Sequence, residues 1–157
     1  TAIILTTRGI PCIFYGTEIA MPSTENHGEL RKDFPGGWED DIKNVFYDFG
    51  LNKTESEAKN FMKTLLNWRK SSDAVGKGKL IHFPVTDGLY VYFRKYKEDI
   101  VMVAVNNLDQ RKDLDPEHYK DVIRGRKKAI EIFSENAYSL RKKISIYPKS
   151  AKIFQIK

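Results

Sequence analysis

The chain of 157 residues has one cysteine, three histidines and no apolar run near the roughly 18 residues that a membrane span requires. A single cysteine excludes an internal disulfide and any metal site built on several thiolates. His82 and His118 have no partner at metal-ligand spacing, so we expect neither to bind a metal. Cys12 lies in an apolar stretch, which predicts a buried and unreactive thiol.

The amino terminus lacks the pattern of a secretion signal, because no basic segment precedes the apolar residues 1–5. The chain also lacks a starting Met and opens in what we interpret as the last turns of a helix. We therefore expect a fragment of a longer protein. The low cysteine content fits the cytoplasm but leaves a bacterial periplasm open, so the compartment is not predicted.

An excess of basic residues gives a net charge of +6 and a pI near 9.3. A basic chain of this kind makes nucleic acid a partner to consider. The basic residues, however, are dispersed along the sequence. The clusters at 111–112, 124–128 and 141–143 are interrupted by acidic or apolar residues. This pattern favours a solvated surface, and we expect no nucleic-acid partner.

Residues 9–18 combine a helix stop with a short apolar run. Gly9 and Pro11 are typical of a helix end, and residues 12–15 are apolar without alternation, which predicts a buried parallel strand. Gly16 interrupts the run, and Glu18 follows at its carboxyl end. In an α/β barrel that end of a strand is where function is built.

Residues 20–53 form a long polar connection, which in a compact domain is usually functional or disordered. Its aromatic residues predict a packed loop; they are Phe34, Trp38, Phe46, Tyr47 and Phe49. Residues 54–70 then form the clearest helix, in which Thr54 and Glu57 have capping-box spacing and one apolar stripe follows.

The periodicity changes from helical to strand-like at residues 76–78. Strands are predicted at 79–83, 89–96, 100–105, 128–133, 143–147 and 151–156, with a hairpin turn at 85–88 and a short helix at 115–122. In the second strand Leu89, Val91 and Phe93 share one face, and the other face carries Tyr90, Tyr92, Arg94 and Tyr96. Short strands at such spacing predict a mainly β fold built on an antiparallel β-sandwich.

Two motifs resemble the α-amylase family of glycoside hydrolases, closest to its neopullulanase or cyclomaltodextrinase branch. The segment G-I-P-C-I-F-Y-G-T-E at 9–18 is similar to the family's eighth barrel strand, with Phe14 in place of the first Tyr of a Tyr pair. The run R-K-D-F-P-G-G-W at 31–38 matches bacterial members of that branch. The resemblance implies that residues 1–75 are the last strand, substrate-side loop and last helix of a (β/α)8 barrel, and that residues 76–157 are a C-terminal β-sandwich.

The same resemblance implies that the parent enzyme hydrolyses α-1,4 or α-1,6 glucan linkages with retention, using two carboxyl groups about 5 to 5.5 Å apart. Its catalytic carboxylates lie on earlier barrel strands, so we expect none in this chain and no activity from it alone. The implied partners are an α-glucan and the remainder of the barrel. No cofactor is expected here, and calcium in the parent is left open.

Several side chains are candidates for a site under this resemblance. Arg31 is the first candidate for sugar contact, because its guanidinium suits vicinal hydroxyls, although an ion pair with Asp33 or a neighbouring Asp that shapes the loop is an equal alternative. Trp38 offers a stacking face or, more often for such a residue, is a loop anchor buried under the turn, and Glu29 and His27 are weaker candidates. A structural rim motif is expected for Tyr15, Gly16, Glu18 and Asp33, with a catalytic acid as the lesser alternative for Glu18.

Two further alternatives remain. The first is a non-catalytic carbohydrate-binding module, for which Tyr90, Tyr92 and Tyr96 would supply an accessory face if they did not instead cover the sandwich or its contact with the barrel. The second is a basic nucleic-acid-binding domain, which predicts salt-sensitive binding to any duplex.

Overall fold

The computed structural model describes residues 1–23, 28 and 31–157. It divides into two compact units, one formed by Thr1–Ile10 with Leu65–Lys157 and the other by Pro11–Thr64. The predicted division between residues 75 and 76 stays a prediction. The helices are α1 Ala2–Thr6, α2 Lys53–Ser71, α3 Asp73–Lys77 and α4 Lys120–Ile123, with 3₁₀ turns at Thr17–Ile19 and Pro116–Tyr119.

Eight strands follow α3, and all of their pairings are antiparallel. Their bounds are β1 Lys79–His82, β2 Leu89–Tyr96, β3 Asp99–Asn106, β4 Lys112–Leu114, β5 Lys128–Glu131, β6 Ala137–Ser139, β7 Ile144–Ile146 and β8 Ser150–Ile156. A six-stranded sheet has the order β1-β2-β3-β8-β5-β6, and β4 pairs with β7 in a second sheet. The two sheets confirm the predicted mainly β fold with an antiparallel sandwich.

The core lies between the two sheets. The predicted alternation of β2 is confirmed, because Leu89, Val91 and Phe93 are buried in this core. The remaining core residues come from β3, β4, β5, β7, β8, α4 and the turn after β6; they are Ile100, Met102, Ala104, Leu114, Val122, Ile123, Ala129, Leu140, Ile144, Ile146, Phe154 and Ile156. The hairpin between β1 and β2 turns at Asp87 and Gly88, which both have positive φ, as the tightest hairpin turns require.

The other face of the six-stranded sheet is also buried over its central strands. Tyr92, Val103 and Ile153 form one row across β2, β3 and β8, and all three are inaccessible to solvent. Helix α3 packs on β2 and β3, with Ala74 and Val75 buried. The sheet therefore has a second, helix-covered face besides the sandwich core.

The predicted buried strand at residues 12–15 is wrong. Residues 12–14 have no regular structure, Tyr15 lies in a turn, none of them pairs with a strand among the described residues, and Cys12 and Phe14 are exposed. A buried strand needs at least one neighbouring strand to satisfy its backbone groups, and the described residues supply none. The thiol of Cys12 is consequently exposed rather than buried.

The predicted helix at 54–70 is confirmed as α2, but its cap is displaced by two residues. The backbone N–H of Glu55 donates to Asn52 Oδ1 at 2.9 Å, and the N–H of Asn52 donates to Glu55 Oε2 at 2.8 Å. This reciprocal pair is the capping box, so the predicted role of Thr54 and Glu57 is wrong. No helix in the described part of the chain has the length and apolar character to cross a membrane.

Candidate functional site

The segment around Tyr15 and Gly16 forms a tight turn whose backbone is fixed by local hydrogen bonds. Gly16 has a φ of +85°, and its carbonyl accepts from the N–H of Met21 at 2.9 Å. A Cβ at Gly16 would lie 3.0 Å from the Met21 side chain, so this position requires glycine for both reasons. The Tyr15 hydroxyl donates to the carbonyl of Lys32 at 3.0 Å.

A cleft of about 370 Å³ opens beside this turn. Its lining is mostly apolar, and the Phe14 and Tyr15 rings lie 4.6 Å apart at its side. The lining residues are Phe14, Tyr15, Gly16, Thr17, Ala20, Met21, Pro22 and Ser23. Two of the predicted rim residues, Tyr15 and Gly16, therefore share one cavity.

Glu18 lies in the 3₁₀ turn that follows Gly16 and is half-buried. Its Oε2 atom is buried and has no hydrogen-bond partner among the described residues. A buried carboxylate oxygen without a donor is unfavourable by about 1–3 kcal/mol, so such an atom calls for a partner. Neither the structural role nor the catalytic alternative for Glu18 is tested by this geometry.

The Trp38 loop is organised by the carboxylate of Asp41. Its Oδ2 atom accepts from the backbone N–H groups of Gly36 at 2.7 Å and Trp38 at 3.0 Å. The bond from Trp38, followed by that from Gly36, holds the pKa of Asp41 below its usual value. Trp38 is 68% exposed, so the predicted alternative of an anchor buried under the turn is wrong for this chain and the ring is accessible.

Arg31 and Asp33 both lie on the surface of the loop, and their side chains form no ion pair with each other. The backbone N–H of Arg31 donates to the carbonyl of Gly28 at 3.3 Å. Glu29 and His27, the weaker candidates for sugar contact, lie outside the described residues. Sugar contact by Arg31, Trp38 and Glu29 therefore stays a prediction.

The aromatic side chains of this loop are less buried than predicted. Phe46, Tyr47 and Phe49 are each more than 60% exposed. Hydrogen bonds hold the backbone instead, because Asn44 Oδ1 accepts from the N–H groups of Phe46 and Tyr47 at 3.0 and 3.2 Å. The Lys59 ammonium binds the Val45 carbonyl and the Asp48 carboxylate.

A polar contact that the sequence did not indicate lies on the helix-covered face of the sheet. Arg94 on β2 is 2% exposed, and its Nη2 donates to the carbonyls of Val75 and Gly78, each at 2.8 Å. Its Nη1 reaches the carbonyl of Thr6 at 3.5 Å. Burial lowers the pKa of this guanidinium, which remains charged because arginine titrates so far above neutrality.

Tyr92 makes a second buried contact on the same face. Its hydroxyl lies 2.5 Å from Thr6 Oγ1, which in turn donates to the carbonyl of Ala2. Burial raises the pKa of Tyr92 to about 12, although the hydrogen bond with Thr6 acts in the opposite direction. Alternation placed Tyr92 and Arg94 on this face, but no local pattern could identify partners 86 and 88 residues away.

Residues 80–155 match the family model described as the cyclo-malto-dextrinase C-terminal domain. The chain is 39% identical over 104 residues to a cyclomaltodextrin glucanotransferase of Klebsiella oxytoca, which aligns 65% of this chain with 14% of that protein. A cyclomaltodextrin glucanotransferase of Paenibacillus macerans is 33% identical over 105 residues, covering 67% of this chain and 12% of that protein. The chain thus spans about a seventh of the length of these curated relatives.

Solved structures share the fold over nearly the whole chain. AmyP in complex with maltose has a TM-score of 0.72 at 16% identity, covering 98% of this chain and 33% of that one. The α-amylase of Geobacillus thermoleovorans, complexed with acarbose, has a TM-score of 0.70 at 17% identity, covering 99% of this chain and 32% of that one. At this identity the structural likeness establishes the fold alone. Membership of the family rests on the sequence relatives and the family model.

Proposed function

Because this chain belongs to the α-amylase family of glycoside hydrolases, we propose that it is the part of an α-glucan hydrolase that closes the catalytic barrel and covers it with a β-sandwich. Residues 1–75 are then the last strand, substrate-side loop and last helix of a (β/α)8 barrel. Residues 76–157 are the C-terminal sandwich. The parent enzyme cleaves α-1,4 or α-1,6 bonds in starch, pullulan or cyclodextrins with retention.

The observation that carries the structural role is the buried polar contact of Arg94 and Tyr92. Both side chains belong to the sandwich, and their partners at Thr6, Val75 and Gly78 lie in or beside the helices that flank it. The guanidinium holds its N–H groups in a planar fork, so the two bonds of Nη2 fix direction as well as distance, and Nε alone is buried without a partner in the described chain. This contact suits a sandwich that holds the last barrel helices in place.

The rim residues supply a second argument. Glu18 Oε2 is buried without a donor, and residues 12–15 have no strand partner among the described residues. Both are unfavourable in an isolated chain and are relieved when the remaining barrel strands lie alongside. In that assembly Tyr15, Gly16, Glu18 and Asp33 shape the rim, and Arg31, Trp38 and Glu29 face the glucan.

The test begins with the chain alone, assayed on starch, pullulan and cyclodextrin for release of reducing ends. We expect no hydrolysis, since the catalytic carboxylates lie on earlier strands. The protein extended by its upstream coding sequence should hydrolyse α-glucan and release the α-anomer first, as NMR would detect. Hydrolysis by the chain alone, or an upstream region without Asp, Glu and Asp at barrel-strand ends, would refute the proposal.

A role as a carbohydrate-binding module makes a different prediction for the same material. The exposed ring of Trp38 favours it, because an aromatic face suits the apolar face of a pyranose. In a pull-down on immobilised starch, retention of the chain that is lost in Trp38→Ala would support this module. Passage of the chain through the starch without retention supports the structural role instead.

A further inference from the structure

Two basic clusters that are separate in the sequence meet on one surface of the sandwich. In the β5–β6 hairpin Lys128 pairs with Ser139, and the N–H of Leu140 donates to the carbonyl of Lys127 at 2.9 Å. This register places residues 124–128 beside residues 141–143. We define the basic face as the six exposed residues Arg124, Lys127, Lys128, Arg141, Lys142 and Lys143.

The basic face is not neutralised within the described part of the chain, where none of its six side chains takes part in an ion pair. The neighbouring acidic groups are largely engaged elsewhere. Glu98 pairs with Arg126 at 2.7 Å, Glu117 pairs with Lys120 at 3.2 Å, and the buried Glu131 accepts from Ser134. Residues 124–143 contain seven basic and two acidic side chains and so carry five of the six net positive charges of the chain.

A cleft of about 290 Å³ lies within this face. Lys127, Lys128 and Arg141 line it together with Ala137, Tyr138 and Ser139. The lining is mostly apolar, and the three exposed cationic side chains give a positive potential at the surface around it, which a bound anion would reduce. Oxyanions such as phosphate match both the charge and the donor geometry of lysine and arginine.

We propose that the basic face binds a flexible linear polyanion with closely spaced phosphate groups. The strands beneath it are only three or four residues long, about 10–13 Å, which suits a short run of closely spaced phosphates but offers little contact to a rigid duplex. A bilayer is disfavoured because Ile123 and Leu140, the apolar residues that adjoin the two basic clusters in sequence, are buried and cannot insert, and the half-buried Tyr138 is the one large ring in the lining of the cleft. The expected ligand is therefore of the linear polyphosphate type.

The experiment measures binding of the chain to end-labelled linear polyphosphate by fluorescence anisotropy over a range of salt concentrations. Removing three cations with Lys127→Gln, Lys128→Gln and Arg141→Gln should reduce the slope of log K against log salt by about 2 and weaken binding on the order of 100-fold at about 50 mM salt. The matched control Lys53→Gln, Lys63→Gln, Lys70→Gln removes the same charge from exposed positions of α2. It should leave the salt slope and the affinity for polyphosphate nearly unchanged.

Three results would overturn the proposal. They are no saturable binding at low salt, equal losses in the two triple variants, and tighter binding to duplex DNA or to phosphatidylglycerol vesicles than to polyphosphate. The basic residues would also be explained by protection of the edge strand β6 against pairing with other chains. That role predicts aggregation of the hairpin variant without any polyphosphate binding by the unsubstituted chain, and this outcome too would refute the proposal.

Discussion

Replacing Arg94 tests whether the helix-covered face of the sheet stabilises the fold. Arg94→Met keeps most of the side-chain volume but removes the donors to the Val75 and Gly78 carbonyls, each 2.8 Å away. Hydrogen bonds from charged donors contribute about 1.5–3 kcal/mol each, which gives a gross loss of about 3–6 kcal/mol. Methionine also removes the cost of burying a charge, so we expect a net loss near the lower bound, about 3 kcal/mol.

The measurement follows Trp68 fluorescence during urea and thermal unfolding in a Trp38→Phe background, because Trp68 is then the single tryptophan and reports on the unit that contains Arg94. A loss of about 3 kcal/mol corresponds to a decrease in Tm of about 6–12 °C for a chain of this size. Arg94→Lys keeps the charge without the planar fork and should lose at least about 1 kcal/mol. The exposed control Arg141→Met should change stability by less than about 0.5 kcal/mol. If Arg94→Met and Arg141→Met behave alike, the contacts of Arg94 do not stabilise the fold.

Two further predictions concern Tyr92 and the cap of α2. Because the pKa of Tyr92 is raised from 10.0 to about 12 in the folded chain, its stabilising effect is complete below pH 10 and is lost as the pH rises toward 12, by up to about 2.7 kcal/mol. The Tyr92→Phe variant should be less stable than the unsubstituted chain by about 1 kcal/mol at neutral pH, because it lacks the hydrogen bond to Thr6. Above about pH 11 the variant should be the more stable of the two. Plots of Tm against pH for the two proteins that never cross would contradict this. Asn52→Ala should lower the free energy of unfolding by about 1 kcal/mol, because it removes the side chain that caps α2 through the N–H of Glu55. Thr54→Ala should change it very little in a urea titration. A larger loss for Thr54→Ala than for Asn52→Ala would instead support the cap that the sequence predicts.

The sandwich was predictable because most of its strands show a local sequence pattern that does not depend on distant residues. The alternation of β2 and the apolar run of β3 identify both strands within a residue or so of their observed bounds. β4 and β6 were missed because each has a single large apolar or aromatic side chain, whereas the equally short β7 shows the alternation of Ile144 and Ile146. Residues 12–15 show the opposite error, because an apolar run predicts burial only where neighbouring strands are present to bury it.

The candidate site was less predictable, since its features depend on contacts between distant residues. The motif residues Tyr15 and Gly16 do share one cleft, whereas the acceptors of Arg94 are separated from it by 16 to 88 residues. The basic face shows the same limit. Its clusters at 124–128 and 141–143 were interpreted as dispersed, and only the register of the β5–β6 hairpin brings them together.

Backbone pairing differs between the rim segment and the sandwich. β2 and β3 are each paired along both edges, whereas residues 12–15 belong to no strand among the described residues. Unpaired side-chain atoms do not separate the two regions, because Glu18 Oε2, Arg94 Nε and Ser145 Oγ are all buried without a hydrogen-bond partner in the described chain. Since backbone groups without partners are unfavourable when buried, the rim segment gains more from the rest of a barrel than the sandwich does. Addition of the upstream polypeptide should therefore protect the amides of residues 12–19 from hydrogen exchange far more than those of β2 and β3, and equal protection in both regions would contradict this reasoning.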